Sequence, residues 1–561
     1  MATSIPTFRL EVSEGMIDVD TSADRLFGYC VEAPKGPVLE PTFVASNAEA
    51  KRIFGIDFAP HFYQKPTGLV ICRVGFEDMA KASITYQAYP MVRQGEGNEA
   101  TWVVGESNPV NIIKIQATSE GEAAHKVFIT KSKTGSGYNL SVTIDGVTAK
   151  NYQNLRDLTS IVKKINSKFS NYLQAELLIS ESEFNEETSK QPFSREQFIL
   201  KTDGTLTGGS NGVMLNTDES KSSVSINDAT NGLSKTEGTG AVDSDTGKKV
   251  FLPNETNPET TLKAAYEKAF VKIQDVDLVG IATLSNSRAV QNALIEHINE
   301  VNDPEVAQLR FGITGYLDYV VEPETAAEQT TFEDLMQETE YMNNEWIIFI
   351  GQGVVFSEDG VKRNILPHEA TQLYTGIRSA LGYSEAIFGG EPKKVLNGVV
   401  DTLPVVTDGS LIVKSDIEAL NEAGVITFKK EYGEVTFLEG VTTIQDEDVL
   451  SYESMMSIVA YVTKRLIKLA KPYQGQLLTE DLKSTLQTAL SNELKTITDT
   501  DGTLMALEDF NIPPYDVQVF SAAKTVFDES NHLIRESKII IQCRIVPVGA
   551  LRDIDLGVIV I

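Results

Sequence analysis

Cysteine is scarce in this chain. Cys30, Cys72 and Cys543 are the only three in 561 residues, too few for a disulfide framework. Cys72 and Cys543 lie in apolar, strand-like contexts, "GLVICRVGF" and "IIIQCRIVPV". They read as small buried residues of a protein folded in a reducing cytosol. Long apolar runs are also missing. The longest, "WIIFIGQGVVF", contains Gln352 and falls well short of the ~20 residues of a membrane span, so no membrane insertion is expected. The opening "MATSIPTFRLEVSEG" lacks the apolar segment of a signal peptide. Positive charge is in deficit: 49 Lys and Arg face 79 Asp and Glu, for a formal net charge of -30. Such a chain repels phosphate backbones, which argues against direct nucleic-acid binding by the chain as a whole, and it favours solubility.

The residues of catalysis are thinly spread. His61, His125, His297, His368 and His532 show no metal-ligand spacing. His297, in a helix with acidic neighbours, reads as a surface position. "GTGAVDSDTGKK" is similar to a phosphate loop, but Val242 stands where the motif needs its first glycine, so a flexible loop is the better reading. "ITDTDGTLMALE" carries Asp499, Asp501, Gly502 and Glu508 at calcium-loop spacing. There Ile497 replaces the first acidic ligand and "DFNIPPYD" cannot continue as the second helix, so it reads as a polar turn after a helix. No Ser-His-Asp set, paired-carboxylate signature or Cys-x-x-Cys is visible. No cofactor and no metal are expected, and the sequence does not read as that of an enzyme.

What is present is regular patterning. Length alone allows two to four domains. Residues 1 to about 30 alternate apolar and polar in "PTFRLEVSEGMIDVD" and "RLFGYCVEA", as edge strands do. "AEAKRIFG" reads as a short helix capped by Ser46 or Asn47. From about residue 95 the chain turns to short strands, including "NIIKIQATS", "HKVFITKS" and "YNLSVTIDGV", with an amphipathic helix in "NLRDLTSIVKKINSKFSNYL". A polar, Gly/Ser/Thr-rich stretch follows. From about residue 260 helices and buried strands alternate: "TLKAAYEKAFVKI", "VDLVGIATL", "SRAVQNALIEHINEV", "LRFGITGYL", "TFEDLMQETEYMN", "EWIIFIGQGVVF", "HEATQLYTGIRSALG". That order predicts a mixed, mostly parallel sheet covered by helices. "LNEAGVITFKKEYGEVTFLEGVTTI" reads as a hairpin. A long helix from about Glu447 to Lys471, a second from about Thr479 to Ile497, and closing strands complete the chain. The division expected is an N-terminal strand arm (1–25), a first part of the core (26–95), an inserted β-rich region (96–255, with a flexible loop at 201–250), an α/β domain (256–420) and a C-terminal domain (421–561).

Several segments together resemble contractile tail sheath proteins. "GPVLEPTFVASNAEAKRIFG" is similar to the family's GP-x-x-x-P strand and Ser-capped helix ending in Phe-Gly. "TGSGYNLSVTI", "LTGGSNG" and "NEAGVITFKKEYGEVTFLEGVTTI" resemble later family segments, in the family's order. The long insertion, and Asn211 where an acid is common, are departures. The length resembles the sheaths of long contractile-tailed phages. The resemblance implies an α/β core with inserted β domains and terminal strands exchanged between subunits, by strand addition to a neighbour's sheet. The donor arms would be Phe8, Leu10 and Val12 at one end and Leu556, Val558, Ile559, Val560 and Ile561 at the other. The alternative for the last strand is pairing within its own sheet. The acceptor would be the hairpin of Val425, Ile426, Phe428, Val435 and Phe437. Implied partners are further copies of the chain, a tail tube protein, and baseplate and terminator proteins, in a virion tail assembled in the host cytoplasm. The basic cluster Lys464, Arg465, Lys468 and Lys471 has two readings: complementation of a helix dipole, or ionic contact with an acidic tube. A surface-layer or adhesin-like protein and an enzyme with a site hidden in the α/β domain are the competing readings. The first lacks a signal peptide and the second lacks a polar constellation.

Overall fold

A computed structural model describes residues 7–12 and, with short gaps, 25–179, 204–225 and 258–547. Its centre is a seven-stranded sheet. In spatial order the strands are Val425–Ile426, Ile347–Ile350, Phe311–Gly315, Gly280–Thr283, Phe27–Val31, Leu69–Arg73 and Thr42–Val44. All neighbours run parallel except Thr42–Val44, which is antiparallel to Leu69–Arg73. Every residue of the six parallel strands is buried, as a sheet with both faces covered requires. The edge-strand reading of "RLFGYCVEA" is therefore corrected: Phe27–Val31 lies in the middle of the sheet. Its apparent alternation comes from Gly28, whose missing side chain makes room for Ile273 and Leu278.

Helix starts follow their caps. Ser46, Asp157, Ser287 and Thr331 each accept a backbone N–H of the first turn of Asn47–Ile53, Leu158–Lys168, Arg288–Val301 and Phe332–Met342. At Thr331 the Asp334 carboxylate closes a reciprocal capping box. Pro258–Ile273 packs on Phe27–Val31 and Leu69–Arg73, and Arg288–Val301 on the next two strands. His297 is buried, stacked on Phe270 at 5.1 Å, not on the surface. Helix Thr371–Ala380 lies against Ala59–Phe62. Gly376 permits this contact, since a Cβ there would sit 2.5 Å from the His61 carbonyl.

"EWIIFIGQGVVF" is two strands rather than one. Ile347–Ile350 stays in the main sheet, and Val354–Glu358 leaves it to pair with Val361–Ile365 and Val399–Thr402. Gln352 sits at the break. Its amide donates to the Leu403 carbonyl (2.6 Å) and accepts from the Phe428 N–H (2.7 Å). A glutamine inside an apolar run is tolerated because backbone groups freed at the break satisfy it.

A second apolar core is built from residues between Ala82 and Leu206. One antiparallel sheet orders Leu173–Leu177, Val110–Ala117 and Ser83–Ala88; another orders Lys126–Lys131, Tyr138–Ile144 and Val147–Leu155. Bridges Ser83↔Thr207 and Lys126↔Thr205 link the two through Gly204–Thr207, so part of the predicted loop is paired backbone. The helix Leu158–Lys168 buries Leu158, Ile161 and Ile165 in this core. At the boundary with the main sheet the buried Arg73 donates to the carbonyls of Gly36 and Glu120, both at 2.8 Å.

Candidate functional site: a strand-pairing platform

Two thirteen-residue strands, Tyr515–Phe527 and Leu533–Ile545, form an antiparallel hairpin in continuous register. At ~3.4 Å per residue it reaches about 40 Å. Val517, Ile541, Cys543 and Ile545 are buried, while Asp516, Gln518 and Phe520 are exposed, the alternation of a sheet with one face on a core. That face is backed by helix Glu480–Thr496, which buries Leu486, Leu490 and Leu494. Gln487 also donates to the Val517 carbonyl (3.3 Å).

This helix is held to its neighbour, Glu453–Ala470, by Arg465. The guanidinium pairs with Glu493 (2.5 Å) and Asp501 (3.0 Å) and donates to the Tyr461 hydroxyl (2.6 Å), which in turn donates to Asp501 (2.8 Å). Asp501 of the calcium-loop near miss thus has an arginine as its cation. Helix Glu453–Ala470 is buried almost all round, a wider contact than the single stripe its periodicity suggests. Its first residue, Glu453, accepts from Arg378 Nε (3.0 Å), Tyr374 (3.2 Å) and Ser457 (2.9 Å). Removing either member of such a buried pair leaves a bare charge.

The N-terminal strand Thr7–Val12 completes the platform. It runs antiparallel to Leu533–Ile545, with Phe8 opposite Cys543, Leu10 opposite Ile541 and Val12 opposite Ile539. The three-stranded order is Thr7–Val12, Leu533–Ile545, Tyr515–Phe527. The arm covers residues 539–544 only. Among the described residues no strand pairs with the outer edge of Tyr515–Phe527. Leu556, Val558, Ile559, Val560 and Ile561 lie outside the described residues.

No family model matches the chain, and no curated protein sequence matches it. Solved structures do. The sheath tail protein of Desulfitobacterium hafniense superimposes over 94% of this chain and 97% of its own, with a TM-score of 0.55 at 11% identity. The sheath tail protein of Listeria innocua does so over 93% and 96%, with a TM-score of 0.50 at 11% identity. The fold is that of tail sheath proteins.

Within this sheath fold two expected sites change. Val425 and Ile426 are not hairpin residues; they pair parallel with Phe349 and Ile350 at the edge of the main sheet. The hairpin itself is Phe428–Glu431 with Glu434–Phe437, turning at Tyr432 and Gly433, both at positive φ. Phe428, Val435 and Phe437 are buried in the chain's own core. The chain also occupies the hairpin's edges: Leu396 N–H donates to the Val435 carbonyl (2.9 Å), Phe388 bridges Phe437, and Gln352 takes the Phe428 N–H. The arm instead lies on the long hairpin, which the sequence shows only as two alternating runs.

The basic cluster does not form one exposed face. Lys464 is buried, with its ammonium 3.1 Å from Asp277 and 2.9 Å from the Leu278 carbonyl. Burial pushes its pKa below the usual lysine value, against the pull of Asp277. Arg465 serves the helix pair. Lys468 is exposed and Lys471 half-buried. Ala460, Tyr461 and Ile467 flank Lys464 on its face of the helix and it is buried with Ala460 and Ile467, while Lys468 at i+4 is exposed, a placement that spacing alone does not distinguish from a solvent stripe.

Proposed function

We propose that the chain is a structural subunit of a contractile phage tail sheath. It polymerises as stacked helical rings around a tail tube, and contraction drives the tube through the host envelope for genome delivery. The observation that carries this reading is a sheath-protein fold matched over 94% of the chain. The strand-pairing platform supports it. A hairpin of about 40 Å, one edge taken by an N-terminal arm and the other unpaired among described residues, suits strand addition from neighbouring copies. The C-terminal strand Leu556–Ile561 is the donor for the second edge. Its partners are other copies of the chain, the tail tube, and the baseplate and terminator at its ends, in a virion tail assembled in the host cytoplasm. The role is mechanical rather than catalytic: an extended lattice is held away from its minimum, and contraction is driven by newly buried intersubunit surface summed over many copies.

The test is assembly. Negative-stain electron microscopy of the full chain mixed with a tail tube is expected to show hollow helical tubes around it. A variant lacking Gly557–Ile561 is expected to give folded monomers with an unchanged circular dichroism spectrum. A full chain that stays monomeric even on a tube overturns the reading.

A further inference from the structure

The arm that exchange would donate is docked on its own chain. Thr7–Val12 forms a six-residue ladder with residues 539–544, the apolar positions Phe8, Leu10 and Val12 paired in backbone register with Cys543, Ile541 and Ile539. Only residues 13–26 separate it from the sheet strand Phe27–Val31. We propose that this cis-docked arm is an autoinhibitory plug. It closes the edge of the free subunit's hairpin, and the same edge is opened to a neighbour only when the arms exchange. The proposal rests on the sheath reading above and adds the state of the subunit before assembly.

The physics is that of a domain swap. The cis and trans ladders contain the same residues, so their contact energies nearly cancel and the connection decides between them. A tether this short gives the arm an effective concentration on the order of millimolar at its own hairpin, so dilute free subunits keep their edges closed. An edge strand left open is a template for uncontrolled pairing, and the plug removes it. In a ring, a neighbour's hairpin is held in place and the exchange proceeds. Assembly is then templated rather than spontaneous, and its rate is limited by arm release.

The native thiol of Cys543 supplies the test. Phe8 stands directly opposite it, and opposed antiparallel residues have Cα atoms about 4.5–5.5 Å apart, within disulfide range. The Phe8→Cys full chain is purified as monomer, oxidised, and run on a non-reducing gel with linked peptides mapped by mass spectrometry. The expected result is an intrachain 8–543 link, loss of tube formation in the oxidised chain, and recovery on reduction. The double variant Arg9→Cys, Gln542→Cys, the adjacent register pair, repeats the test should Phe8→Cys fold poorly. Interchain links only, or no link in either folded monomer, overturn cis docking. An intrachain link with assembly as fast as in the reduced chain overturns the inhibitory role. Failure of the unsubstituted chain to assemble on a tube overturns the sheath reading, and the plug with it.

Discussion

His61 is sealed between the main sheet and two helices. Its Nε2 faces the Gly68 carbonyl (3.4 Å) and so carries the proton. Nδ1 lies 3.0 Å from Thr375 Oγ1, which lies 2.8 Å from the Tyr29 hydroxyl. Burial drives the His61 pKa down to about 3, and burial drives that of His297 to about 4. Both are depressed below the unfolded value of 6.5, so the unfolded chain binds more protons between those limits. Their contribution is complete above pH 6.5 and is lost progressively as pH falls toward 4 and then 3. From pH 7 to pH 5 His61 alone should lower stability by roughly 2 kcal/mol. Urea unfolding at the two pH values checks this. The His61→Gln chain, although less stable at pH 7, should show the smaller drop between them, and an equal drop would mean that His61 is not buried neutral.

At the scale of elements, what joins two helices matters more than what forms either. Each carries its own start signal, and the helix order and the parallel sheet were legible because caps and buried runs are local features. "TFEDLMQETEYMN" predicts Phe332–Met342 with Thr331 as cap, and the structure has both. The platform was less legible. A stripe of apolar residues shows that a helix is buried on one side, but not that Glu453 and Lys464 on its other sides also meet partners. Those partners, Arg378 and Asp277, are 75 and 187 residues away in sequence. In the same way "YDVQVFSAAKTVF" reads as a strand, while its pairing with residues 533–545 and theirs with the arm depend on register over more than 500 residues. Arg465 is the tie between the two platform helices. Arg465→Ala leaves Glu493 and Asp501 facing each other without a cation, and should loosen the hairpin's backing. Hydrogen exchange is the measurement: amides of Tyr515–Phe520 should exchange faster while those of Ile347–Ile350 are unchanged. Equal protection in both would separate Arg465 from the platform.

Among the described residues there are two apolar cores with no side chain in common. Arg73 spans them, its guanidinium joining Gly36 beside the main sheet to Glu120 in the turn after Val110–Ala117 of the second core, with Lys81 3.8 Å from the Glu120 carboxylate. Cores that meet through a few polar contacts unfold as separate cooperative units. Calorimetry should therefore resolve two transitions. Arg73→Met, which keeps the apolar stem and removes the donors, should move them further apart. A single transition in both chains would show that the cores are thermodynamically one.

The place where the arm joins the sheet has a mechanical consequence. Tension on Thr7–Val12 reaches the core at Phe27, the start of a strand hydrogen-bonded on both sides, to Gly280–Thr283 and to Leu69–Arg73. An edge strand can be peeled away one bond at a time. This one can be drawn out only by breaking two ladders together, with its side chains buried on both faces. The docked arm is the part that yields first, and the strand behind it is an anchor. In the proposed sheath, a load on the arm would then be released by this ladder before it reached the fold.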